Sequence, residues 1–175
     1  MIFRGKQPEA VVWRRFRSGL DGFTFEAEPE HFTAHVVANA ERVLDLLHAL
    51  SELLPPAVDV ALEDRRSQRR WRGEAIALPD LRDSVARLKL PLATYGGVEL
   101  AVYTEEDQLT LTPFLELYAF GRTDRWLYVL LGKGLVEQSW LRSKAWLPPG
   151  APFPPAPELD TALRLAVERL GLVEQ

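Results

Sequence analysis

The sequence predicts an α+β fold. The expectation is a mixed, mostly antiparallel sheet with a C-terminal antiparallel meander, two helices packed on it, and a C-terminal helix after a Pro-rich strap. Three observations carry this reading. Val98–Thr104, Leu109–Phe120 and Arg125–Leu131 read as three antiparallel strands, joined by the short polar connections Glu105–Glu106–Asp107 and Gly121–Arg122–Thr123–Asp124. Between Asn39 and Pro55 the apolar residues recur every three or four positions, the pattern of a helix lying on a sheet. Helical patterns also stand between strand patterns rather than in a block of their own, which suits helices packed on one face of a mixed sheet.

The middle strand of the meander sorts its side chains cleanly. Leu109, Leu111, Leu115, Leu117 and Ala119 share one face, and Thr110, Thr112, Phe114, Glu116, Tyr118 and Phe120 share the other. The aliphatic face needs a cover; the partly aromatic face is open to use. Pro113 implies an edge position or a bulge.

The remaining elements follow in chain order. Ala10–Arg17 and Phe23–Glu28 are expected to form a hairpin around Ser18–Gly22, with Arg14, Arg15 and Arg17 across from Glu26 and Glu28. His31–Val37 continues as a strand. In the first helix Asn39 is the expected N-cap, Val43, Leu46, Leu47, Leu50, Leu53 and Leu54 form the stripe, and Pro55–Pro56 ends it. Val58–Asp64 alternates as a strand, with a return strand at Arg72–Leu78. A short second helix opens at Pro79, buries Leu81, Val85 and Leu88, and ends at Pro91. Gly132–Lys133–Gly134 is a turn, and Leu135–Leu147 is a mixed segment containing Trp140 and Trp146. Pro148–Pro157 is a stiff, proline-rich strap. The last helix spans Glu158–Leu170, with Leu159, Leu163, Ala166, Val167 and Leu170 on its stripe and Gly171 beyond its end. No internal repeat and no flexible linker divides residues 1–175, so one domain is expected.

Composition narrows the function. A formal net charge of -4 argues against whole-surface attraction to nucleic acid or anionic membrane. With no cysteine there is no disulfide framework, thiolate metal site or cysteine nucleophile, which fits a reducing compartment. The first residues lack the apolar core of a signal peptide, and no apolar run is long enough for a membrane span, so a cytoplasmic location is expected.

The strongest candidate site is a local basic cluster. Arg65, Arg66, Arg69, Arg70 and Arg72 stand together without an intervening acid, and Trp71 lies in their midst. Guanidinium groups fork onto carboxylates or phosphates, and a tryptophan anchors in a partner or stacks on a ring. The plainer reading is a solvated hairpin tip countered by Glu63, Asp64 and Glu74. The second candidate is an aromatic platform of Phe114, Tyr118 and Phe120 with Trp126 and Tyr128 on the next strand. The third is a metal pair, His31 and His35, near Glu28 and Glu30. It is weak: Phe32 stands where a zinc-protease motif requires glutamate, and His48 is remote.

Catalytic motifs find no support. Gly132–Lys133–Gly134 lacks the spacing and following hydroxyl of a phosphate loop, and no serine sits in a nucleophile elbow. Glu105, Glu106 and Asp107 read as a solvated turn. The residues therefore point to a non-catalytic protein that binds another protein, an acidic one, with no cofactor. The alternative is an enzyme or ligand-binding protein acting on a phosphorylated or nucleotide-like small molecule; a metal-dependent hydrolase using His31 and His35 is the third reading.

Overall fold

The computed structural model describes residues 21–141 and 150–175, and every structural statement below concerns those residues. In chain order they form β1 (Gly22–Ala27), β2 (Phe32–Val37), α1 (Ala40–Ser51), β3 (Ala57–Asp64), β4 (Arg69–Ala77), α2 (Leu78–Tyr95), β5 (Val98–Tyr103), β6 (Asp107–Leu111), β7 (Leu117–Gly121), α3 (Arg125–Gly132), β8 (Val136–Glu137), α4 (Pro157–Leu170) and β9 (Val173–Glu174). The strands make one mixed sheet in the order β8-β1-β2-β7-β6-β5-β3-β4-β9. The β1–β8 pair is parallel and the others are antiparallel. Both edge strands are two residues long; β8 pairs with Gly22 and Phe23 of β1, and β9 with Trp71 and Arg72 of β4. The expected strand Ala10–Arg17, its arginine ladder and Trp146 lie outside the described residues; among the described residues β1 pairs with β2 along its length and with β8 at Gly22 and Phe23.

The inward face follows strand alternation. Phe23, Ala34, Val36, Val58, Val60, Leu62, Leu100, Val102, Leu109, Leu111, Leu117 and Ala119 are all buried, and they join one core cluster with the apolar stripes of the four helices. α2 packs between α1 and α4. The α1 stripe is as the spacing predicts except for Leu53, which is exposed beyond the helix end. Asn39 holds the N-cap position with extended backbone, but its side chain makes no capping bond. No described helix is long and apolar enough to cross a membrane.

Three elements differ from expectation. The long middle strand folds into a hairpin, β6–β7, turning through Thr112–Glu116. Thr112 N donates to Glu116 O (2.8 Å) and Leu115 N to Thr112 O (2.9 Å), with Leu115 at φ 60°. Pro113, which has no N–H for a ladder, sits in that turn. The register pairs Leu109 with Ala119 and Leu111 with Leu117, so the two-residue alternation survives the turn. The meander is therefore β5–β6–β7, and its expected third strand, Arg125–Leu131, is the helix α3. Trp126, Tyr128 and Leu130 alternate as a strand would, yet Trp126 and Leu130 are also one helical turn apart. A short apolar run supports either reading, and in the helix those two are the buried pair.

The third difference is α2, which runs through Pro91 to Tyr95. Continuing the helix buries Leu92 and Tyr95. At roughly 1.5–3 kcal/mol for each large apolar side chain, that burial offsets a proline cost of about 3 kcal/mol.

Candidate functional site

Strand alternation divides the arginine cluster between different surroundings. Its base is the β3–β4 turn, organised by Asp64, which is only 4% exposed. The Asp64 carboxylate accepts from Arg66 N (3.1 Å), Ser67 N (3.3 Å) and Ser67 Oγ (2.6 Å), closing the turn with the side chain of its first residue.

Arg66 turns inward. Its Nε donates to Pro154 O (2.6 Å), and its two Nη atoms donate to Gly96 O (2.6 Å) and Tyr95 O (2.7 Å). The cation thus caps the C-terminal carbonyls of α2, where the helix dipole is negative, and ties them to the segment leading into α4. Burial lowers the Arg66 pKa, while nearby Asp64 and Asp160 oppose that shift. The turn, the end of α2 and the proline-rich segment meet on this one side chain. Tyr95 hydroxyl bonds Glu158 in the first turn of α4, a contact that raises the tyrosine pKa.

Arg69 and Trp71 lie toward α4. The Arg69 guanidinium donates to both oxygens of Glu174 (2.8 and 2.7 Å) and lies 4.9 Å from the Trp71 ring centroid. Hydrogen bonding raises the Arg69 pKa and lowers that of Glu174. Trp71 is 7% exposed, a member of the core rather than a projecting anchor. Arg70 and Arg72 point to the other sheet face, where Arg70 pairs with Glu63 (3.1 Å). Arg65 bridges Glu63 (2.9 Å) and Glu99 (3.4 Å). Arg72 is exposed and has no ion-pair partner among the described residues.

Between the turn and α4 lies a cavity of about 460 Å³, lined by Arg66, Arg69, Trp71, Asp160, Leu163 and Arg164, among others. Trp71 and Leu163 give it a buried apolar floor. Arg164 stands on its rim, exposed and without an ion-pair partner among the described residues. Sequence reasoning found Arg66, Arg69 and Trp71 and missed Arg164, Asp160 and Leu163, because only the folded chain brings the last helix beside the β3–β4 turn. The signal available was the Leu159, Leu163 and Ala166 stripe, which announced that α4 is docked but not on what.

The aromatic platform is smaller than predicted and includes a histidine. His35 and Tyr118 stack with ring centroids 4.3 Å apart and planes 2° from parallel, and Phe120 lies 6.2 Å beyond Tyr118. Burial raises the Tyr118 pKa. Phe114 sits in the β6–β7 turn, tilted against Phe153 at 5.6 Å. Trp126 is fully buried beneath α3, its indole N–H donating to Asp107 Oδ1 (3.1 Å) and Phe120 O (3.2 Å), while Tyr128 projects from the opposite side of that helix. These two do not join the sheet-face aromatics.

His31 and His35 do not converge. Four strand steps separate them, about 13 Å; His31 faces Glu28 (3.2 Å), and His35 Nε2 lies 2.9 Å from Glu116 Oε2. Among the described residues no group of three His, Asp or Glu side chains is placed to hold a metal ion. In the turn after β5, Asp107 is not solvated as the sequence suggested. It accepts from Arg125 (2.7 Å) and Trp126, yet burial dominates and raises its pKa. No known protein family, no curated protein and no solved structure matches this chain.

Proposed function

We propose that this protein is a cytoplasmic, non-catalytic binding module that takes an acidic segment of a protein partner into the cavity between the β3–β4 turn and α4. The observation that carries the reading is a buried apolar floor, Trp71 and Leu163, under a rim where Arg164 is exposed and has no ion-pair partner among the described residues. Such a floor takes an aliphatic side chain, and the exposed Arg164 guanidinium takes a neighbouring carboxylate. A catalytic site needs polar groups free to meet a substrate. Here Asp64, Arg66 and Arg69 already satisfy backbone or side-chain partners of the fold.

The alternative, a phosphorylated or nucleotide-like ligand, is favoured by the concavity of the same site. It is disfavoured at the ring. Arg69 already lies over the Trp71 ring, and the remainder of that side chain is buried, so no indole face is offered to a base. Nucleic acid is disfavoured further by the net charge of -4.

Selection from a random-peptide phage library on the immobilised full chain tests the reading. The expected result is enrichment of peptides pairing Asp or Glu with an aliphatic residue, and about tenfold weaker binding of these to Arg164→Glu, the size expected for one charge-assisted contact. Selected peptides without acidic enrichment, or equal binding to Arg164→Glu, would overturn it.

A further inference from the structure

A second cavity lies on a different flank of α4, between that helix and α2. It holds about 520 Å³, the size of a small-molecule site. The two helices run antiparallel, since Tyr95 meets Glu158 at one end and Asp83 meets Arg169 at the other. Leu88, Leu165 and Ala166 give the cavity apolar walls, and Ser84, Arg87 and Arg169 gather at its Asp83 end. Leu165 is 55% exposed, a large apolar side chain left on the surface beside this groove.

Ser84 is the residue that points to a ligand. It is 2% exposed, it lines the cavity, and its hydroxyl has no hydrogen-bond partner among the described residues. A hydroxyl inside a helix commonly bonds back to the carbonyl four residues earlier, as Thr94 of the same helix does to Leu90 O (2.8 Å). Ser84 does not. Buried polar groups without a partner are rare because their desolvation goes uncompensated, and a bound group supplying an acceptor removes that cost.

The charges beside Ser84 define the acceptor. Arg87 Nε donates to Asp83 Oδ2 (3.0 Å), and Arg169 Nη1 donates to the same oxygen. Two guanidiniums thus share one carboxylate, which leaves an excess of positive charge at this end, and each keeps N–H donors beyond the one it gives to Asp83. Glu168 also lines the cavity, but it is exposed and pairs with neither arginine among the described residues. Away from the arginines the walls are aliphatic, and from Arg169 back to Ala162 they extend about 10 Å along α4.

We propose that this cavity binds an aliphatic carboxylate, its head held by the Ser84 hydroxyl and the Arg87 and Arg169 guanidiniums and its chain laid along Leu88, Ala166 and Leu165. Hydroxyl and guanidinium donors both suit a carboxylate, and the apolar surface that an alkyl chain buries supplies affinity. The site is independent of the cavity beside the β3–β4 turn, which uses Asp160, Leu163 and Arg164 of the same helix.

Isothermal titration of the full chain with octanoate tests the site, with octylamine as the probe of equal chain length and opposite charge. Octanoate is expected to bind saturably at one site per chain, and octylamine to show no saturable binding. Ser84→Ala is expected to weaken octanoate several-fold without lowering the urea midpoint, because it removes a hydroxyl that the fold itself leaves unpaired. Arg87→Glu is expected to weaken it about tenfold. Leu165→Glu, which sets a carboxylate beside the alkyl chain, is expected to abolish binding. Arg87 and Leu165 are exposed, so both variants are expected to keep the wild-type far-UV circular dichroism spectrum. No saturable octanoate binding, octylamine bound as tightly, or octanoate affinity unchanged in any of the three variants would overturn the site.

Discussion

Arg66 and Arg70 look alike in the sequence, four positions apart in one basic run, and the fold uses them in opposite ways. Arg66 donates to three main-chain carbonyls from two segments, so removing it leaves acceptors without a donor in a half-buried place. Arg66→Ala is expected to lower unfolding free energy by about 3 kcal/mol, given charge-assisted bonds of roughly 1.5–3 kcal/mol each that do not add fully. Arg70→Ala breaks one exposed pair with Glu63 and is expected to stay within about 0.5 kcal/mol of wild type. Urea unfolding of the two variants decides the matter, and equal losses would sink the assignment of Arg66 as a tie. Gly97 belongs to the same junction. It holds φ 79°, and an added Cβ would run into the Arg66 guanidinium and the Phe153 ring. Gly97→Ala is expected to cost about 1–3 kcal/mol, measured the same way. The residue types and their clustering were legible in the sequence. Which arginine turns inward was not, because the carbonyls that claim Arg66 come from residues about 30 and 88 positions away.

At the scale of elements, alternation was legible and connection was not. The inward set of the meander is the one the two-residue period selects, and all of Leu109, Leu111, Leu115, Leu117 and Ala119 are buried. The turn at Thr112–Glu116 stayed hidden because it lacks glycine and puts Leu115, not a turn residue, at positive φ. For α2 the proline rule gave too early an end. Pro91 lacks the N–H that would bond to the carbonyl four residues back, so Pro91→Ala is expected to raise stability by about 1–2 kcal/mol, the helix gain being partly offset by a freer unfolded chain. A lower urea midpoint for this variant would show that the ring packing of Pro91 outweighs the missing bond. Asp107 gives the turn after β5 a pH dependence. Burial raises its folded pKa, so the folded state binds the proton more readily than the unfolded chain. Its contribution is therefore most favourable below the ordinary aspartate range and falls as pH climbs through the raised folded value. Relative to Asp107→Asn, the wild type is expected to lose stability across that window and to run parallel above it. The opposite slope would mean that the Arg125 ion pair outweighs desolvation.

For the whole molecule, the question is whether the chain unfolds as one body. Buried apolar residues from Phe23 on β1 to Leu172 after α4 belong to a single cluster, and α2 packs against both α1 and α4. The α4 helix is not an appendage on this view. It contributes Leu159, Leu163, Ala166 and Leu170 to the core, and Arg66 and Tyr95 fasten its entrance to the β3–β4 turn and to α2. The class of fold was legible from interspersed helix and strand patterns, whereas the docking of α4 beside β4, on which the candidate cavity depends, is a long-range contact that no local pattern encodes. A shared core predicts cooperative loss. Urea unfolding followed by far-UV circular dichroism and by tryptophan fluorescence is expected to give superimposable curves, with Trp71 near α4 and Trp126 under α3 reporting from separate parts of the sheet. If a truncation at Ala156 left a folded remainder with an unchanged midpoint, α4 would be dispensable and the cavity would lose its far wall without consequence for the fold. A single transition in the full chain, together with loss of cooperative unfolding in the truncated one, is the outcome that a shared core requires.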